Sequence, residues 1–275
     1  MSNIDKLYSS CCSDHNVKLS LTDQEENNLF EKLLNMVLKV WKNKGTPKGG
    51  IDEEIVTQYV EKLWEGVVDG YGEDLTAIDF DTPDYNMLLK LRENIWQFSA
   101  AKNYQQLAAI NRELIDANGK LRSFSDFRDA ALRINIDHVR HLETEYTTAV
   151  GGAQMAGLWV QIQQEKEVLP WIELVAIIDD HTTKEICLLL DGVIVHVDDP
   201  YLDVYYPLNH YNCRLTVRRL ADATPTPKDK LPYPEIPKIF RTNMGKRGLA
   251  FPTDHPYFEG TPKDVLEKAK QSAQI

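Results

Sequence analysis

The apolar residues of this chain change their spacing once, near Pro170. Upstream they recur every three or four residues, which places them along one face of a helix; downstream they fall in short β-branched runs. The first helical face holds Leu29, Phe30, Leu33, Leu34, Val37, Leu38 and Trp41. Thr22-Asp23-Gln24-Glu25 opens it as a capping box, in which Thr22 and Glu25 satisfy each other's backbone amides. Gly45-Thr46-Pro47-Lys48-Gly49-Gly50 ends it. Asp52-Glu53-Glu54 suits the positive end of a second helix, with Ile55, Val56, Tyr59, Val60, Leu63, Trp64 and Val67 inward. Thr82-Pro83 opens two further helical stretches, about 84–99 and 103–117. Ser123 or Ser125 caps a segment that runs through Phe127, Leu142, Tyr146 and Trp159 toward Pro170. It is one helix or two, because Gly151-Gly152 weakens its middle by about 1 kcal/mol per glycine relative to alanine.

Beyond Pro170, Leu174–Ile178, Val193–Val197 and Leu215–Val217 predict strands. Prolines 225, 227, 232, 234 and 237 predict an extended strap able to lie along a neighbour, and a short polar helix is expected near 262–272. The fold class is therefore α+β: a loose arm over 1–20, a helical domain over 21–170, a small α+β module over 171–220, and a Pro-rich strap with a docked tail over 221–275. Trp41, Trp64, Trp96 and Trp159 would give the helical part an aromatic interaction surface.

Charge narrows the function. The net charge of -11 argues against a generalised nucleic-acid coat, since phosphate binding needs clustered Lys and Arg. The exception is Lys238, Arg241, Lys246 and Arg247, interleaved with Phe240 and Phe251, which could touch the phosphates of double-stranded DNA or form a solvated strap. Apolar runs are short and broken by charge, and the N-terminus lacks a basic and then apolar leader, so the expectation is a protein of the cytoplasm with no membrane partner. Cys11 and Cys12 sit in a polar stretch with no expected role, and a cytosolic setting disfavours disulfides.

Chemistry concentrates between residues 179 and 215. Cys187, His210 and Cys213 are soft-metal ligand types, and His210-x-x-Cys213 puts two of them on one tight turn. They are a candidate zinc set, with His181, Asp180, His196 or water as the fourth ligand; the alternative is a core cysteine and a turn-capping histidine.

The same segment resembles the C-terminal module of the phage Mu F-like head morphogenesis family, minor head proteins of tailed phages. That family shares D-x-x-T-x-x-x-[CH]-x-x-L-D-G followed by a proline-led H-x-x-C-R-C-like turn. Here the first part falls on Asp180, Thr183, Cys187, Leu190, Asp191 and Gly192, and the second on Pro207, His210, Asn212, Cys213 and Arg214. Leu121–Phe124, Phe127-Arg128, Glu145–Val150, Ala153–Ala156, Asn243–Gly245 and Asp254–Phe258 are similar to the version found in Bacteroidetes-type prophages. The resemblance spans about 120–258. Two positions depart from it: Lys184 stands where some members have a cysteine, and Leu215 where the turn ends in one. The resemblance implies a non-enzymatic virion component that associates with the portal protein and other capsid or scaffold proteins during head assembly in the host cytoplasm. It also implies possible meetings with DNA in packaging or ejection.

Other constellations point elsewhere. Glu143-Thr144-Glu145 has the E-x-E form of ADP-ribosyltransferases but no accompanying Ser-Thr-Ser strand, and reads as a solvated helix face. His138 and His141, with Arg133 and Arg140 nearby, read as an ion-paired surface. His196-Val197-Asp198 and His210-Tyr211-Asn212 invite a metal-dependent nuclease or hydrolase reading of the HNH type, which requires a helix after the second strand where Leu215-Thr216-Val217 is strand-like. A toxin-like effector is a further alternative, with no additional domain to carry it.

Overall fold

The computed structural model describes residues 22–72, 78–79, 82–180 and 182–273. The predicted loose arm and Cys11-Cys12 lie outside the described residues, as does His181. Four helices come first: α1 (Asp23–Asn43), α2 (Glu53–Tyr71), α3 (Pro83–Arg112) and α4 (Phe124–Glu165). They are followed by β1 (Trp171–Ala176), α5 (Cys187–Leu190), β2 (Ile194–His196), α6 (Leu202–Tyr205) and β3 (Leu215–Leu220), then α7 (Met244–Arg247) and α8 (Lys263–Ser272). No helix among the described residues is long and apolar enough to cross a membrane.

The caps anticipated from the sequence are present. Glu25 N–H donates to Thr22 Oγ1 at 3.3 Å, while Thr22 N–H donates to Glu25 Oε2 at 2.6 Å and so holds the Glu25 carboxyl below its ordinary pKa. Ser123, not Ser125, caps α4, accepting from Asp126 N–H at 3.1 Å. The two stretches expected over 84–99 and 103–117 are instead the single helix α3. The supposed break, Ala100-Ala101-Lys102, is fully buried, and these good helix formers carry the helix through it. α3 ends at Arg112, where Asp116 Oδ1 accepts from Asn118 N–H and Lys120 N–H and turns the chain toward α4.

The chain forms two compact units. One is drawn from Met1–Trp64, Glu93–Tyr146 and Pro256–Ile275, the other from Glu65–Arg92 and Thr147–His255. The first is built around a buried polar network that helical periodicity did not reveal. Lys102 and Glu145, both with no solvent-exposed side chain, form a short charge-assisted pair. Lys102 Nζ also donates to the His138 carbonyl at 2.9 Å and lies 4.7 Å from the centre of the Tyr59 ring. Around it, Tyr59 Oη donates to Gln106 Oε1 at 3.1 Å, Gln106 Nε2 to Asn135 Oδ1 at 2.9 Å, and Asp52 N–H to Asn103 Oδ1 at 2.7 Å. Burial pulls the Lys102 pKa down against the opposing pull of Glu145. Glu145 is therefore not on a solvated face, and His138 and His141, 9% and 5% exposed, are not on an ion-paired surface. Each faces inward onto a partner: Glu145 onto Lys102, His141 Nδ1 onto Tyr257 Oη at 3.3 Å, and His138 Nδ1 onto the Ile134 carbonyl at 3.0 Å.

The second unit contains the sheet, ordered β2-β1-β3 and antiparallel throughout. β1 is central although first in sequence, and its alternation buries Ile172, Leu174 and Ala176 on one face. On the other face Glu173 lies directly opposite Arg218 and accepts from its Nε at 2.8 Å. The strand expected through Ile178 stops at Ala176, whose N–H is taken by the Asp191 side chain at 2.7 Å; Ile177 and Ile178 are exposed beyond it. α4 is one helix of 42 residues, and its glycines are sites of close approach. A Cβ at Gly152 would lie 3.3 Å from the Ala250 backbone, at Gly157 3.1 Å from the Tyr71 carbonyl oxygen, and at Gly151 3.1 Å from the Leu208 side chain. Trp159 is buried, with its ring 5.0 Å from that of Tyr206, and Trp41 packs on Phe124 and Phe127 at 5.6 and 5.4 Å. These two rings serve internal packing, not an aromatic surface. The Pro-rich strap also lies on its own chain: Tyr201 Oη donates to the Pro232 carbonyl at 2.6 Å and Tyr205 Oη to that of Pro234 at 3.4 Å.

Two stability measurements follow. Lys102→Ala should cost about 3–5 kcal/mol in urea unfolding, because it strands the Glu145 carboxylate, whereas Lys102→Met combined with Glu145→Leu should recover most of that loss. A mild single variant would contradict the buried pair. Gly245→Ala in α7 gives a test of sign. Helix propensity alone predicts a gain of up to about 1 kcal/mol. The Cβ would sit 2.9 Å from the Met155 carbonyl oxygen, so a loss of about 1–3 kcal/mol is expected instead.

Candidate functional site

Cys187, His210 and Cys213 come together in the second unit, with their ligand atoms all within 4.8 Å of one another. Cys187 is the first residue of α5, and the chain reaches it through a turn tied by two threonine side chains. Thr182 Oγ1 donates to the Ile177 carbonyl at 2.7 Å and accepts from Asp179 N–H at 2.8 Å, which turns the chain after β1. Thr183 Oγ1 then accepts from Cys187 N–H at 3.1 Å, a local side-chain-to-backbone bond spanning four residues. That contact accounts for the spacing of threonine and cysteine. α5 ends on Asp191, whose carboxylate closes the end of β1, and on Gly192, whose φ of 74° lies in the left-handed region that favours glycine. Leu190 between them is fully buried.

The second arm is held on α4. Tyr206 is fully buried and its Oη donates to the Met155 carbonyl at 2.9 Å; Pro207, Leu208 and Asn209 are buried after it. Asn209 Nδ2 donates to the Val204 carbonyl at 3.3 Å. Asn212 takes φ 53°, a conformation asparagine tolerates better than most residues, and its Oδ1 accepts from Thr147 Oγ1 at 3.0 Å. Arg214 pairs with Asp179 at 2.8 Å, and its carbonyl accepts from Ile177 N–H at 2.7 Å, so the two arms are tied together directly.

The protonation pattern follows from the partners. His210 Nδ1 lies 2.7 Å from the Tyr211 carbonyl oxygen, which can only accept, so Nδ1 carries the proton. Nε2 faces Cys187 Sγ at 3.1 Å and Thr183 Oγ1 at 3.2 Å. The Cys187 thiol is pulled well below its ordinary range by the Cys213 side chain, with His210, Thr183 and the Arg214 backbone adding to the effect against burial. Burial and then the Cys187 contact push the Cys213 thiol up. The two thiols are pulled in opposite directions, Cys187 toward the thiolate and Cys213 toward the thiol. Backbone hydrogen bonds from Asn209 and Leu215 reach Cys213. The cluster is chemically a soft donor set: two cysteine sulfurs met by backbone groups, and an imidazole oriented through its Nδ1.

The remaining candidates lie apart from it. Asp180 is exposed, and it is Asp179, not Asp180, that pairs with Arg214. His196 packs edge-on to Trp171 at 5.4 Å and accepts from Asp198 N–H at 3.2 Å. Among the basic candidates, Lys238 lies 3.7 Å from Asp254, Arg241 3.8 Å from Glu235, and Lys246 2.7 Å from Asp203; Arg247 donates to Thr242 Oγ1 at 3.3 Å. The sequence reading named Thr183 for its place in a pattern but missed its double contact with Cys187 and His210. The four-residue interval before a cysteine at a helix start was the available signal.

Residues 92–218 match the family model described as Phage Mu protein F like protein. The putative capsid assembly protein F of Escherichia phage Mu is 31% identical over 98 residues, covering 36% of this chain and 22% of that relative. The match therefore spans about a fifth of the relative's length. No solved structure matches the chain. The matched region contains Lys102 and Glu145 as well as the Cys187, His210 and Cys213 cluster, and it begins upstream of the segment the resemblance suggested. Residues 92–218 are thus similar to the Mu F-like family of phage proteins.

Proposed function

We propose that this protein is a minor head protein of a tailed phage, a structural component of head morphogenesis that binds the portal protein and other capsid or scaffold subunits. The observation that carries the reading is the match of residues 92–218 to the Mu F-like family, supported by the similarity to a relative whose name is that of a capsid assembly protein. In this reading the chain is assembled into heads in the host cytoplasm and resides in the virion.

A head component needs a surface for other subunits. Ile177, Ile178, Leu188 and Leu189 are 52%, 70%, 42% and 51% exposed, four large apolar side chains within thirteen residues of the Mu F-like segment. Exposed apolar groups concentrated in this way suit a protein partner. Contact with double-stranded DNA through Lys238, Arg241, Lys246 and Arg247 is a subsidiary part of the proposal. It would require Lys246 to exchange Asp203 for phosphate. The nuclease alternative gains nothing from the fold, since the chain enters β3 after Cys213, where a ββα metal site would need a helix.

The test is binding of the full chain to the portal protein of the phage that encodes it. Ile178→Asp and Leu189→Asp remove exposed side chains and should leave circular dichroism and melting unchanged. Each should weaken portal binding at least about tenfold, or about 1.4 kcal/mol. Absence of portal binding by the unaltered chain, or a metal-dependent nuclease activity lost in His210→Ala, would overturn the proposal.

A further inference from the structure

We propose that Cys187 Sγ, Cys213 Sγ and His210 Nε2 bind one zinc ion, with solvent in the fourth position. Three separate features of the second unit point to it. The first is convergence: residues 23 and 26 positions apart in sequence bring three ligand atoms within 4.8 Å of one another. With zinc–sulfur bonds near 2.3 Å and zinc–nitrogen bonds near 2.0–2.1 Å, a tetrahedral ion needs edges of about 3.5–3.8 Å. The Cys187 Sγ to His210 Nε2 distance of 3.1 Å therefore has to open by only a few tenths of an ångström.

The second feature is the orientation of the imidazole. A zinc-binding histidine presents one nitrogen to the metal and donates its other N–H to a carbonyl or carboxylate, which fixes the tautomer and the ring plane. His210 does this through Nδ1 and the Tyr211 carbonyl at 2.7 Å. Tyr211 is itself held: its Oη meets His255 Nε2 at 3.0 Å, and its ring packs edge-on to Phe240 at 5.0 Å. The third is the environment of the sulfurs. Backbone groups of Asn209 and Leu215 reach Cys213, and that of Arg214 reaches Cys187, so that negative charge on sulfur is met by fixed dipoles. Zinc binding displaces the thiol protons of Cys187 and Cys213 to solvent and forms two thiolate bonds and one imidazole bond, with no change in oxidation state.

Two thiolates and one imidazole favour zinc over calcium or magnesium, which take oxygen ligands. Among the described residues no further His, Cys, Asp or Glu side chain joins the cluster, and solvent completes the shell. The ion would tie the α5 arm to the 206–213 arm, a structural role independent of the portal-binding proposal.

The experiment is metal analysis of the full chain purified with zinc and under reducing conditions, paired with cobalt substitution. About one zinc per chain is expected, and the cobalt form should show tetrahedral visible bands with sulfur-to-cobalt charge transfer. Cys187→Ser and Cys213→Ser should each lose most of the metal, and His210→Ala should lower it, while circular dichroism reports whether the variants fold. The combined Cys11→Ser and Cys12→Ser variant should keep the full complement, as should His181→Ala. Sub-stoichiometric zinc in the unaltered chain, zinc retained when both Cys187 and Cys213 are replaced, or a Cys187–Cys213 disulfide in the freshly reduced protein would overturn the assignment. Loss of zinc in the Cys11 and Cys12 variant or in His181→Ala would overturn the ligand set. Portal binding is read separately, so the two proposals fail independently.

Discussion

The close approach of other segments to α4 between Ala149 and Gly157 is the constraint on which the second unit depends. Ala149, Ala153 and Ala156 are fully buried there, and Gly151, Gly152 and Gly157 leave no side chain between α4 and Leu208, Ala250 and Tyr71. Glycine in a helix costs about 1 kcal/mol against alanine, and packing at backbone distance offsets that cost. The consequence reaches the cysteine cluster directly. Tyr206, Leu208 and Asn212 are each fixed on α4, through Met155, Gly151 and Thr147, so His210 and Cys213 are held at a set height above the helix. The opposing arm is fixed by β1 and its Asp191 cap. Neither arm alone defines the cluster.

The first unit has a different logic. Its helices enclose Lys102 and Glu145 with no exposed side chain, an arrangement that contributes little net stability over apolar residues of the same size but penalises any register that separates the two charges. Tyr59, Asn103, Gln106 and Asn135 extend the network through side-chain hydrogen bonds to one another. A core of this kind specifies one helix alignment where an oily one would accept several.

Much of this was legible in the sequence. Capping residues, turn glycines and the change of period at Pro170 located the helices and strands, since each reflects a local backbone preference. The convergence of Cys187, His210 and Cys213 was anticipated from residue type and spacing. What the sequence concealed was which polar helix residues face inward. Glu145 and His141 carry the pattern of a solvated face, and only the tertiary partners Lys102 and Tyr257 make their burial possible. The Gly151-Gly152 pair was ambiguous for the same reason: helix weakness is a local property, whereas close packing is a property of the segments that arrive from elsewhere. The Pro-rich strap looked available to a neighbour because its tyrosine anchors lie some thirty residues upstream.

The Mu F-like segment joins these two constructions in one stretch of chain, with the buried ion pair at one end and the thiol–imidazole cluster at the other. A fold that spends its chemistry on internal ties and leaves Ile177, Ile178, Leu188 and Leu189 exposed is suited to assembly with other subunits. The most direct measurement of that account is quantitative mass spectrometry of procapsids and mature particles purified from the phage that encodes the chain. The account predicts the protein in both, at a constant ratio to the portal. Its absence from both, with the full-length chain abundant in the unassembled fraction, would contradict it.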